Sequence, residues 1–98
     1  MLFLISYKER SRWNEDDDKR VLKLFTNWKP PGGMEVKSHY ARSDGGGFLI
    51  AEVNSAAAVM EANAPWIAFF DFQVVPIVEI TEAVPMLQRT NAWRDSVR

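Results

Sequence analysis

The chain has 98 residues, 47% of them hydrophobic, with 12 basic and 13 acidic side chains giving a formal charge of -1. This length suits one compact domain and excludes two independent ones, while the near-neutral charge gives no general attraction to nucleic acid or to an anionic membrane surface. Cysteine is absent, which removes disulfides, thiolate catalysis and Cys-ligated zinc or iron–sulfur sites and leaves packing to hold the core.

Leu2 to Tyr7 is a continuous apolar run with Phe3, Ile5 and Tyr7, the pattern of a central strand buried on both faces. It is shorter than a signal-peptide core, and Lys8, Arg10 and Arg12 follow rather than precede it. No stretch of eighteen apolar residues occurs anywhere. A cytoplasmic protein is therefore the expectation.

Asn14 to Asp18 open the first helix, whose apolar positions Val21, Leu24, Phe25 and Trp28 recur at spacings of three and four. Acidic side chains in the first turn oppose the positive end of the helix dipole. Pro30-Pro31-Gly32-Gly33 ends the helix, because proline cannot continue the hydrogen-bond ladder and glycine accepts left-handed angles. Met34 to Arg42 mixes polar and apolar residues, as a half-exposed edge strand does, with Val36, Ser38 and Tyr40 on one face and Lys37, His39 and Ala41 on the other.

Ser43-Asp44-Gly45-Gly46-Gly47 is a turn cluster, and Phe48 to Val53 returns as an apolar strand, completing an antiparallel hairpin. Asn54 or Ser55 caps a second, alanine-rich helix with Ala56, Val59, Met60 and Ala64 expected inward and Pro65-Trp66 at its exit. Phe69 to Ile80 reads as the fourth strand, at an edge or a bulge because Pro76 lacks an amide proton. Thr81 is a candidate cap for a third helix over Glu82 to Val97, with Val84, Leu87 and Trp93 on its apolar side.

The order strand, helix, strand, strand, helix, strand predicts an α+β, ferredoxin-like βαββαβ domain over residues 1–82, with a helical tail over 83–98. Such a four-stranded antiparallel sheet carries two helices on one face and leaves the other uncovered. An uncovered face of this apolar character exceeds what monomers usually expose, so a homodimer through the open sheet is expected.

Met1-Leu2-Phe3-Leu4-Ile5, Pro30-Pro31-Gly32-Gly33, Gly45 to Glu52, Ala64-Pro65-Trp66 and Phe70 to Ile77 together resemble a small bacterial family, domain of unknown function 3303, over roughly residues 1–82. That family is similar to the dimeric α/β-barrel group, in which two ferredoxin-like sheets face each other across a two-fold axis. The wider group includes small monooxygenases, lactone isomerases and haem-handling proteins, so the resemblance supplies an architecture and a place for a site rather than a reaction.

Strand alternation assigns Ser6, His39, Glu52 and Gln73 to the partner-facing sheet surface, among Leu4, Phe48, Ile50 and Val75. A few polar groups in an apolar enclosure are what small-molecule pockets present. These four are the candidate ligand-binding residues. The competing reading is a dimer core in which they satisfy one another. His39 is the sole histidine, a candidate base or haem ligand through fold analogy, against a plain surface strand residue.

Asp16-Asp17-Asp18 reads as helix-start electrostatics rather than a metal site, since adjacent helical residues point apart. Gly45-Gly46-Gly47 precedes a strand, whereas phosphate cradles lead into helices. Trp28, Trp66, Phe69 and Phe70 either wall a pocket or fill the core. No metal and no cofactor are expected. The functional expectation is a homodimer binding a small, partly apolar molecule, either between helices and sheet or inside the barrel; the alternative is a non-catalytic structural or interaction homodimer.

Overall fold

The structure is a computed structural model that describes residues 1–97; Arg98, the last residue of the predicted tail, lies outside the described residues. Its elements are β1 (Leu2–Glu9), α1 (Glu15–Thr26), β2 (Met34–Ala41), β3 (Gly47–Val53), α2 (Ala56–Asn63), a 3-10 turn (Ala64–Trp66), β4 (Phe70–Ile77) and α3 (Ile80–Ser96). The strands form one antiparallel sheet in the order β2-β3-β1-β4. This is the expected ferredoxin-like arrangement.

Each element starts for a local reason. Asn14 accepts from the Asp17 amide at 3.1 Å while the Asp17 carboxylate accepts from the Asn14 amide at 3.0 Å, a reciprocal cap for α1 worth about 1 kcal/mol. The Ser55 hydroxyl caps α2 through the Ala58 amide at 3.2 Å. At the β2–β3 turn, Gly45 and Gly46 adopt φ of 99° and 79°, left-handed values that side chains resist. Strand β4 lies at a sheet edge, the position that tolerates Pro76.

The core sits between the sheet and α2. Ile5, Leu49, Ala51 and Val53 from the strands meet Ala58 and Val59 from α2, with Ile5 and Val53 fully buried. Removing each from water contributes about 1.5–3 kcal/mol. Small residues at 51, 58 and 62 let α2 approach closely. Met60, expected inward, is 73% exposed, and Ala56 and Ala64 also face solvent. Apolar residues surround α2, so the buried stripe of Ala58, Val59 and Ala62 is chosen by tertiary contact rather than by hydrophobic spacing.

Helix α1 contributes no buried residue and stands off the sheet, so a space remains beneath it. Helix α3 also buries nothing and projects from the body. The radius of gyration is 17.6 Å, against about 13 Å for a compact chain of 100 residues. It begins at Ile80 rather than after Thr81, because the Glu79 carbonyl accepts the first helical amides, those of Glu82 and Ala83. Among the described residues no helix is long and apolar enough to cross a membrane.

Candidate functional site

The space under α1 is a cavity of about 440 Å³, within the range of small-molecule sites. The sheet supplies Tyr7, Met34, His39, Ala41, Leu49, Phe70 and Phe72 as its floor. Val21, Leu22 and Phe25 of α1 roof it, Trp28 closes the end beyond α1, and Ala62, Asn63 and Trp66 close the side. The aromatic rings form one connected wall. Phe25 stacks on Trp28 at 6.3 Å, contacts Trp66 at 6.3 Å and meets His39 edge-on at 6.0 Å. Trp28 and Trp66 meet edge-on at 6.0 Å. Tyr7 meets Phe70 edge-on at 5.0 Å.

One hydrogen-bonded pair faces this largely apolar space, which the Asn63 amide also lines. The Tyr7 hydroxyl lies 2.6 Å from His39 Nε2, although the residues sit on β1 and β2 with β3 between them. Gly47 allows it. It stands directly opposite Tyr7 in the β1–β3 register, and a Cβ there would lie 2.5 Å from the Tyr7 hydroxyl and 2.5 Å from the Tyr40 carbonyl oxygen. With no side chain at 47, the tyrosine ring leans across β3 to the edge strand. Burial lowers the His39 pKa from the ordinary 6.5 and raises that of Tyr7 above 10.0, so both stay neutral near pH 7.

The four sequence-assigned residues do not converge. Ser6 and Gln73 are direct cross-strand partners on the open face. Glu52 shares that face but pairs with Leu2, four residues along the strand and so about 13 Å away at ~3.3 Å per residue. It is held by the Met1 amine at 2.6 Å. His39 belongs to the opposite, helix-covered face.

The cause is a register shift between Val36 and Ser38. The extra residue, Lys37, breaks the alternation, so Val36 and His39 fall on one face and Ser38 and Tyr40 on the other. Among the pocket candidates, Trp28, Trp66 and Phe70 do wall the cavity. Tyr7 and Asn63 are additions. The signal for Tyr7 was a polar tip on an otherwise apolar central strand; its opening at Gly47 depends on register.

A second cavity of about 430 Å³ lies on the β4 side of α2, lined by Phe3, Val59, Met60, Ile67, Phe72 and Val74 with Asn63 its main polar neighbour. It lacks a hydrogen-bonded pair. The acidic run is structural: Asp17 caps α1, and Asp18 accepts from the Trp13 indole. Among the described residues no cluster of His, Asp or Glu is arranged to hold a metal ion.

No curated protein and no solved structure matches the chain. The family model described as Domain of unknown function (DUF3303) matches residues 1–91, and the chain belongs to that family.

Proposed function

We propose that the chain binds a small, partly apolar molecule with a flat ring system in the cavity under α1, and that two copies associate through the open sheet face. The observation that carries the first part is the cluster of Phe25, Trp28 and Trp66, joined to Phe70 through the hydrogen-bonded His39 and Tyr7. Ring faces stack on a flat ligand without demanding a particular ring, and the polar pair orients it. Ser6, Glu52 and Gln73 then belong to the subunit contact, and His39 alone of the four belongs to the ligand site.

The second part rests on Leu4, Phe48, Ile50 and Val75, which share the open face through the register Leu4–Ile50, Leu4–Val75 and Ser6–Phe48. All four retain solvent contact in the single chain. A contiguous apolar surface of this kind is a site of protein association.

Titration of ¹⁵N-labelled protein with 2-methylnaphthalene tests the cavity. The indole N–H signals of Trp28 and Trp66 are expected to shift saturably, while that of Trp93, exposed on α3, stays in place. No shift, or equal shifts at all the tryptophans, would overturn the cavity as a ligand site and favour the structural homodimer. Native mass spectrometry reads the assembly separately, a dimer supporting the sheet contact and a monomer refuting it.

A further inference from the structure

We infer that the ligand carries a hydroxyl group that donates a hydrogen bond to the Tyr7 oxygen, on an aromatic body held by the rings behind it; this deepens, and rests on, the reading of the cavity as a ligand site. The Tyr7 hydroxyl and His39 Nε2 can be joined with either atom as the donor. Their separation is 2.6 Å. A phenol hydroxyl, with a pKa of about 10, is a good proton donor, and an imidazole nitrogen, whose conjugate acid has a pKa of about 6.5, is a far stronger base than a phenol oxygen. The tyrosine hydroxyl therefore donates and the imidazole nitrogen accepts. A neutral imidazole that accepts at Nε2 carries its proton at Nδ1, and burial favours this neutral form by lowering the His39 pKa.

With its proton engaged by His39, the Tyr7 oxygen offers the cavity only lone pairs. Phe25, Trp28, Trp66 and Phe70 offer ring faces and indole edges, none of them an acceptor for a hydroxyl donor, and the Asn63 amide at the side is the other polar group of the lining. A purely apolar ligand would leave the Tyr7 oxygen unmet on its cavity side. An ether or ketone would set lone pair against lone pair. A phenol-type hydroxyl meets the oxygen, and its ring continues into the aromatic wall. The chemical class is thus a hydroxylated aromatic of one or two rings.

Three ligands of similar shape separate the possibilities when titrated against the unmodified protein, read at the Trp28 and Trp66 indole signals: 2-naphthol, 2-methoxynaphthalene and 2-methylnaphthalene. Only the first donates. It is expected to bind roughly threefold to tenfold more tightly than the other two, the range of one net hydrogen bond. Tyr7→Phe, which keeps the ring, is expected to abolish that preference, so that the three ligands bind this variant with similar affinity. Equal binding of all three to the unmodified protein would overturn the hydroxyl inference and leave the cavity standing. Methoxynaphthalene binding as tightly as naphthol would also overturn it, by making Tyr7 the donor to the ligand. Failure of all three to bind would remove the cavity reading and this inference with it.

Discussion

Tyr7 and His39 are 32 positions apart in the chain and 2.6 Å apart at their polar tips. Neither strand places them together alone. Gly47 opens the path for the tyrosine, and the irregularity at Lys37 turns the histidine toward it. Two local departures from a regular hairpin thus create the hydrogen-bonded pair of a largely apolar cavity.

The His39 ring should titrate below the ordinary 6.5, since burial penalises its charged form. Because the folded value is depressed for a base, the associated stability is full above pH 6.5 and is lost as pH falls through the folded pKa. Imidazole resonances followed by NMR over pH 4–8 would report the value. A midpoint at or above 6.5 would contradict that penalty.

Gly47→Ala tests the opening through which Tyr7 reaches β2. The added methyl would meet the Tyr7 hydroxyl and the Tyr40 carbonyl at 2.5 Å. Only the tyrosine can move, because the carbonyl is part of the strand. Overpacking of this kind costs about 1–3 kcal/mol. Urea denaturation should give a loss in that range, accompanied by a His39 titration moved toward its ordinary value. A wild-type His39 titration in this variant would show that the glycine is not what lets Tyr7 through.

Ile5→Ala probes the packing under α2. Ile5 is fully buried, faces Leu49 on one side and Val74 on the other, and belongs to the same cluster as Val59. Truncation leaves a cavity in the centre of the sheet, with an expected loss of about 2–5 kcal/mol. The equivalent change at Leu22, which is 66% exposed on α1, should cost far less. Comparable losses at both positions would contradict a core confined to the α2 side.

Asp44 fixes the tip of the hairpin to β1. Its carboxylate accepts from Arg42 Nε at 2.9 Å and Nη2 at 2.8 Å, and from Lys8 Nζ at 3.0 Å. These bonds, that from Arg42 foremost, lower its pKa from 3.8 to about 2. A depressed carboxylate contributes stability above pH 3.8 that is lost as pH falls through about 2. The group is exposed, so added salt should screen the effect. A carboxyl titration in 0.1 M salt is expected to show the low midpoint, moving upward in 1 M salt; a midpoint near 3.8 at low salt would dissolve the network.

The element order was legible because each signal is local: alternation in the strands, the Pro-Pro-Gly-Gly stop, the triple glycine and the polar caps. What was not legible depends on contacts between distant residues. Val36-Lys37-Ser38-His39 reads as unbroken alternation, and nothing in those side chains announces that Lys37 is the extra residue; only pairing with β3 reveals it. That single slip moved His39 from the open face to the cavity. In α2 the surplus of alanines left the buried face undetermined until β3 selected it. Ser6 and Gln73 were placed together correctly because β1 and β4 pair without a shift between them.

Ile50→Asp separates the two parts of the functional proposal. Ile50 stands on β3 between Leu4 of β1 and Ser38 of β2, in the middle of the open face. If that face joins two copies, a two-fold contact brings the new carboxylate into an apolar interface, where desolvation without a partner is costly. Native mass spectrometry is expected to find monomer or aggregate in place of dimer. The cavity is walled by residues of one chain on the other side of the sheet, so soluble monomer should bind 2-naphthol with unchanged affinity. An equally stable dimer would exclude this face as the contact, whereas a monomer that no longer binds would mean that the second copy holds α1 over the cavity.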